Sequence, residues 1–178
     1  MKKKLYYGVL TGLMAAMITL TTAYILHIPV GLGYIHLGDT MVYLAAAMLP
    51  TPYAVLAAAV GGCLADVLCS AAMWAPFTAV IKGVMAFAFT AKNPSLLGRR
   101  NLWAIGIAGC VNVGGYYVAE VVLVALSGST LAAAMGGAAA AVFPNCIQSL
   151  GGGLAFVLLA LALDRLKVKQ RVFRANYT

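Results

Sequence analysis

The stretch FTAVIKGVMAFAFTAK, residues 77–92, decides the fold, because it sets Lys82 inside an apolar run of helix length that ends at Lys92. In lipid an ammonium near the middle of a helix costs about 3 kcal/mol or more, so the question is which solvent the run meets. Composition answers it. The chain of 178 residues is 63% hydrophobic and only 9% charged, with a mean hydropathy of +0.96, whereas a soluble domain carries about 25% charged residues. The apolar runs are continuous rather than alternating, and each is of a length that crosses a hydrocarbon core of about 30 Å as a helix. A bilayer offers no water to unpaired backbone groups, so helices are favoured over a barrel. The expectation is an all-α integral membrane protein built as one transmembrane domain over residues 1–178.

Working outward from that stretch, six spans can be drawn, at about 5–26, 37–49, 53–69, 76–91, 102–126 and 138–163, with ends uncertain by about 2–4 residues. The second is the weakest, being short and separated from the third only by Pro50 and Pro52, which interrupt a helix. A five-span arrangement is the alternative. The charges favour six. Lys2, Lys3, Lys4, Lys92, Arg99, Arg100, Arg165, Lys167, Lys169, Arg171 and Arg174 all fall on one side of a six-span layout, 11 of the 12 basic residues. The positive-inside rule then puts both termini in the cytoplasm. It also explains the net charge of +8 as a topology signal with affinity for anionic lipid, not as a nucleic-acid surface.

Several chemistries find no support. The MKKK start with its long apolar run reads as a first span rather than a cleaved signal. Cys63, Cys69, Cys110 and Cys146 lack a metal-ligand spacing and read as packing residues, and neither a phosphate-cradling G-x-x-x-x-G-K-[ST] nor an H-E-x-x-H occurs. No nucleophile–base pair, metal site or cofactor motif marks an enzyme. His36 with Asp39 makes a poor metal site.

Lys82 has company at its depth. On the six-span layout Asp66 sits about one turn from the outer end of the third span, Asp39 at the outer mouth of the second, and Glu120 about two turns below the outer end of the fifth. Asn112, Tyr116 and Glu120 are spaced i, i+4, i+8 and share a helix face, while Asn145 and Gln148 form an i, i+3 pair on the sixth span. Polar groups facing lipid would leave hydrogen bonds unmade, so these side chains are expected to line a pocket opening outward. Tyr34, His36 and Trp74 belong to its mouth, either as ligand contacts or as interfacial anchors. For Asp66 and Lys82 a purely structural pairing is the alternative to ligand contact. On the first span Gly8, Gly12 and Ala16 repeat every four residues, with Thr11 and Ala15 on an adjoining stripe, which suits close helix approach, either internally or against another membrane subunit.

The run IHLGDTMVYLAAAMLPTPYAVLAAAVGGCLADVL followed by PFTAVIKGVMA resembles the substrate-binding S components of energy-coupling factor transporters, in particular the riboflavin-type and related vitamin S components. The shared pattern is an L-G-D opening the second helix, a proline turn, a glycine-rich third helix ending L-A-D, and an I-K-G in the fourth. The resemblance implies a subunit that captures a water-soluble vitamin outside, docks onto a transmembrane T component carrying two ATPase subunits, and reorients to release its cargo. It places Lys82, Asn112, Tyr116, Glu120, Asn145 and Gln148 in the pocket, makes HIPVGLGYIH a lid, offers Gly8, Thr11, Gly12, Ala15 and Ala16 as docking residues, and gives Asp39 and Asp66 structural roles. Riboflavin, a pyridoxine- or hydroxymethylpyrimidine-like ring, thiamine and a queuine-type base are all plausible cargoes. The competing reading is a stand-alone proton-coupled carrier with Asp66, Lys82 and Glu120 as a relay, against which stands the lack of a convincing repeat between the two halves.

Overall fold

A computed structural model describes residues 2–25, 27–30 and 33–173. It is helical apart from one short hairpin. Helix α1 covers Lys2–Tyr24, and the hairpin follows as β1 (Ile28–Val30) and β2 (Gly33–Ile35), antiparallel with Ile28 opposite Ile35. Then come α2 (Gly38–Met48), α3 (Thr51–Leu68), α4 (Ala75–Phe87), α5 (Arg99–Leu126), α6 (Leu131–Arg165) and a short α7 (Val168–Val172). Four of these, α1, α3, α5 and α6, are long and apolar enough to cross a membrane. The segments expected as second and fourth spans form helices of only 11 and 13 residues, about 16 and 20 Å at 1.5 Å per residue, short of a hydrocarbon core of about 30 Å.

Helix α2 is short because it is interior. Every residue of it except Met41 is buried, as expected of a helix that is apolar all round. Its C-terminus is set by Pro50, and α3 restarts at Thr51 with Pro52 in its first turn, where a missing N–H removes no helix bond. Tyr43 of α2 stacks on Phe89 with ring centroids 5.0 Å apart and meets Phe156 edge-on at 5.9 Å, which forms the aromatic centre of an otherwise alanine-rich core.

Glycines bring the other helices close. A Cβ on Gly61 of α3 would sit 2.8 Å from the Ala15 carbonyl oxygen of α1, and one on Gly62 would sit 2.8 Å from Thr78 Cγ2 and 3.1 Å from Lys82 Cγ of α4. Two consecutive residues of α3 thus admit two different neighbours. On α6, Gly152 does the same for Asp39 of α2 and Gly153 for Ile105 of α5. Large aliphatic side chains instead cover the outside, among them Leu13, Val80, Leu150 and Leu158. That inside-out distribution suits a lipid-facing bundle.

Three segments differ from the sequence expectation. Helix α4 stops at Phe87 rather than near residue 91, because residues 88–98 are tied by side chains: Asn101 accepts from the Thr90 N–H (2.8 Å) and donates to the Thr90 and Leu96 carbonyls, while Asp164 accepts from Ser95 Oγ and the Leu96 and Leu97 amides. Helix α6 begins at Leu131, seven residues before 138, with Thr130 Oγ1 accepting from the Ala133 N–H and Pro144 carried inside the helix. Beyond residue 163 lies α7, entered through Lys167 in the left-handed region. It packs back on α1 through Tyr6, whose hydroxyl donates to the Val172 carbonyl at 2.7 Å, and on α2 through Lys169, whose Nζ donates to the carbonyls of Ala47 (2.7 Å) and Asn93 (2.6 Å). These contacts gather the start of α1, the 88–98 segment and the end of α6 at one end of the bundle, which is therefore the basic end. Burial among carbonyl oxygens lowers the Lys169 ammonium to about 8.

Candidate functional site

Toward the other end of the bundle the polar side chains form two tiers. The inner tier centres on Lys82, which is 2% exposed. Its methylene stem rests on the bare backbone at Gly62, and its Nζ donates to Asp39 Oδ1 at 2.5 Å and to Asn112 Oδ1 at 2.9 Å. Gln148 Nε2 donates to the second Asp39 oxygen at 3.1 Å, and Asn112 Nδ2 donates to Ser149 Oγ at 3.1 Å. Four helices, α2, α4, α5 and α6, are tied through one buried ion pair. Asp39 lies in the first turn of α2, where the helix dipole also favours a carboxylate.

Lys82 therefore pairs with Asp39, not with Asp66 as the sequence alternative had it. Asp66 is buried on the inward face of α3, near enough for its charge to act on Lys82 and Tyr116. Sequence depth put both carboxylates level with the lysine. Only the central course of α2 brings Asp39 into hydrogen-bond range.

A buried ion pair repays its desolvation only when its remaining hydrogen-bonding positions are filled. Here Asn112 accepts from Lys82 and Gln148 donates to Asp39, while Ser149 in turn holds the Asn112 amide. His36 supports the same tier: its backbone N–H donates to Gln148 Oε1 at 3.3 Å, and its Nδ1 accepts from the Gly38 N–H at 3.0 Å. That amide is one of those left without an intrahelical partner at the start of α2, so the His36 ring caps the helix. Thr40 adds a bond from its hydroxyl to the Gly152 carbonyl.

The outer tier is built differently. Tyr116, one turn beyond Asn112, lies with its ring centroid 5.2 Å from Lys82 Nζ, shares a hydrogen bond with Thr78 Oγ1 at 3.0 Å, and packs against Trp74 at 6.0 Å. Trp74 is buried, yet its Nε1–H has no hydrogen-bond partner among the described residues. Glu120, a further turn along α5 and about 12 Å from Asn112 along the axis, and Asn145, one turn from Ser149 on α6, are both partly exposed, and neither makes a side-chain hydrogen bond among the described residues. The Tyr117 hydroxyl reaches the Met135 carbonyl at 3.4 Å. Tyr34 stands in β2, but its side chain lies outside the described residues, as do Gly31 and Leu32 of the expected lid.

Of the nine sequence candidates, Tyr34 has its side chain outside the described residues and the other eight divide. Lys82, Asn112, Gln148 and His36 belong to the hydrogen-bonded inner tier; Trp74 and Tyr116 pack together beside it, while Glu120 and Asn145 are partly exposed and make no side-chain hydrogen bond among the described residues. Ser149, Thr78 and Thr40 were not anticipated. Thr78 was findable, since it precedes Lys82 by four residues and shares its helix face. Ser149 adjoins Gln148 but carries no signal of its own. Among the described residues, no three His, Cys, Asp or Glu side chains gather as a metal site.

The small residues of α1 divide too. Gly8, Gly12 and Ala16 face outward, and a Cβ on either glycine would meet open space. Thr11 and Ala15 turn inward, where the Thr11 hydroxyl donates to the Tyr7 carbonyl and the Ala15 carbonyl lies against Gly61. The stripe available to a partner is therefore Gly8, Gly12 and Ala16 without the other two.

A protein of Pyrococcus woesei, described only as an uncharacterized protein in a gap 3′ region, is 32% identical over 149 residues, spanning 79% of this chain and 93% of its own length. The family model for the ECF-type riboflavin transporter S component matches residues 2–165, which takes in every helix that frames the two tiers. This chain belongs to the ECF-type riboflavin transporter S component family.

Proposed function

We propose that this chain captures a small water-soluble vitamin or related heterocycle at the outer face of the cell membrane and hands it to an energy-coupling factor transporter. Family membership supports a vitamin-type substrate-binding subunit. The observation that carries the finer reading is the buried Trp74 indole N–H, which lies beside the Tyr116 ring without a hydrogen-bond partner among the described residues, with the Glu120 carboxylate one turn beyond Tyr116 on α5 likewise without one. Aromatic faces with a few convergent polar groups suit a compact heterocycle held by stacking and hydrogen bonds. Glu120 accepts from a ligand N–H, Asn145 fixes orientation with its two-faced amide, and the Trp74 N–H donates to a ring carbonyl or nitrogen. The inner tier forms the floor of the site.

In this reading the helices make six passes or part-passes with the basic end in the cytoplasm, because basic loops stay inside. The β1–β2 hairpin then lies outside, over the mouth. The outward stripe Gly8, Gly12 and Ala16 offers backbone to a transmembrane T component, and ATP is bound by the ATPase subunits on that partner. Substrate identity is read first by mass spectrometry of small molecules released from the purified protein. A stoichiometric heterocycle supports capture. An empty protein that shows no thermal shift with riboflavin, thiamine, pyridoxine or nucleobases, together with uptake by the chain alone in energised vesicles, would replace this reading with the carrier.

A further inference from the structure

Both ends of the interior helix α2 are held by side chains from other parts of the chain, and we infer that Lys169 is a positioning residue for the inner polar tier, acting on it through α2 from the basic end. At the N-terminus of α2, Asp39 is bonded to Lys82 and Gln148, and the His36 ring takes the Gly38 N–H. At its C-terminus the Ala47 carbonyl accepts from Lys169 Nζ at 2.7 Å. Residues 39 and 47 stand eight positions apart, about 12 Å along the helix axis.

The contact with Ala47 suits both groups. Carbonyls in the last turn of a helix have no intrahelical donor, Pro50 brings no N–H to this one, and an ammonium is the charge that a helix C-terminus favours. Lys169 is 2% exposed. Its second bond, to the Asn93 carbonyl at 2.6 Å, ties it to the 88–98 segment, which Asn101 of α5 and Asp164 of α6 already fix. The lysine therefore joins the end of α2 to a braced part of the bundle. The remaining contacts of α7 run to α1 instead, from the Tyr6 hydroxyl to the Val172 carbonyl and between the Tyr7 and Phe173 rings, 6.1 Å apart.

Between its two anchors α2 carries no proline and no glycine after Gly38. Its sides are fitted to their neighbours: Gly152 admits Asp39, the Thr40 hydroxyl bonds the Gly152 carbonyl, and Tyr43 stacks on Phe89. An uninterrupted helix in a close-packed interior shifts as a body. Loss of the anchor at Ala47 thus moves the Asp39 carboxylate, and with it the bonds to Lys82 and Gln148. The coupling is reciprocal, so the basic end and the polar tier respond to one another without touching.

The test is a pair of double-variant cycles on the full chain purified in detergent, read as melting temperature. Sites more than about 10 Å apart with no shared partner act additively. Lys169→Met with Gln148→Leu should instead lose clearly less than the sum of the two single losses, because an α2 loosened at one end has less to lose at the other. Tyr6→Phe with Gln148→Leu, which loosens α7 from α1 alone, should be additive. Amide exchange over residues 38–44 should rise about fivefold or more in Lys169→Met relative to α5, and stay at the parent rate in Tyr6→Phe. Lys169→Gln, which keeps an N–H donor, takes the place of Lys169→Met in both measurements if the latter does not fold. Additive losses in both cycles, equal non-additivity in both, or exchange over 38–44 unmoved by the Lys169 variant overturns the inference and leaves Lys169 as a local anchor of α7. Neither readout needs a ligand, so the outcome is independent of the capture reading.

Discussion

The two tiers contain the same kinds of group and use them in opposite ways. In the inner tier a carboxylate, an ammonium, two amides and a hydroxyl are bonded to one another, whereas one to two turns further toward the same end a carboxylate, an amide and an indole N–H have no hydrogen-bond partner among the described residues. What separates them is α2. Its N-terminus brings Asp39 into the bundle at the level of Lys82. The Asp39 carboxylate of α2 gathers the inner polar groups into one network, and among the described residues none of the outer ones is bonded to it.

The largest effect that tests this division comes from the ion pair. Asp39→Asn leaves a buried ammonium without its counter-ion and should cost about 3–5 kcal/mol, read as a large fall in melting temperature in detergent. The double variant Asp39→Asn with Lys82→Met removes both charges and should recover most of that loss. If the single change instead weakens ligand binding and leaves stability alone, the inner tier is part of the binding surface and the division fails.

Next in size are the glycines. Gly62→Ala puts a methyl 2.8 Å from Thr78 Cγ2 and 3.1 Å from the Lys82 stem, and should destabilise by about 1–3 kcal/mol by overpacking. Gly8→Ala meets open space and should change the stability of the isolated chain by less than about 0.5 kcal/mol. A larger residue at Gly8 should lower co-purification with a T component while ligand affinity holds. A loss of ligand affinity from Gly8 substitutions would remove the docking proposal.

Lys169 sharpens the contrast from the basic end, being a second buried lysine that has carbonyl oxygens and no carboxylate bonded to it. Lowered to about 8 in the folded protein against about 10.4 when free, it binds fewer protons folded than unfolded between those values. Stability therefore rises with pH from about 8 to about 10.4 and is insensitive to this group below that window. Melting curves at pH 7 and pH 9.5 should show the rise in the parent protein and a smaller one in Lys169→Met, and identical pH dependence in both would discount the lysine.

The smallest effects compare two orphaned donors. The Tyr43 hydroxyl lies in the aromatic core without a hydrogen-bond partner among the described residues, so Tyr43→Phe should leave stability unchanged or raise it by about 1 kcal/mol, with binding intact. Trp74→Phe removes a similar orphan from the open tier. It should also preserve the fold but weaken ligand binding severalfold, and equal behaviour of the two variants in a binding assay would erase the distinction between the tiers.

Much of this was legible before any coordinates. The membrane environment, the helical class, the break at Pro50 and Pro52, and the gathering of basic residues at one end follow from composition, punctuation and charge, which act locally along the chain. The i, i+4, i+8 placement of Asn112, Tyr116 and Glu120 also followed, because helical periodicity is a property of one element. By contrast, the sequence did not show that α2 is buried on nearly every side, since hydropathy responds alike to lipid and to an apolar core. Residues Leu131 to Gly137 looked like a loop and are helix, because a capped, alanine-rich segment extends where glycines alone suggest a break.

The sequence by itself determined the solvent, the helices, the polarity of the two ends and the set of polar residues that must avoid lipid. Only the tertiary structure decided which carboxylate meets Lys82, that His36 caps a helix, that Thr11 and Ala15 turn inward, and that Glu120, Asn145 and the Trp74 N–H have no hydrogen-bond partner among the described residues. The physical reason is that burial energies are read from each residue's own chemistry, whereas hydrogen-bond partners within about 3 Å depend on where glycines such as Gly62 and Gly152 let separate helices approach.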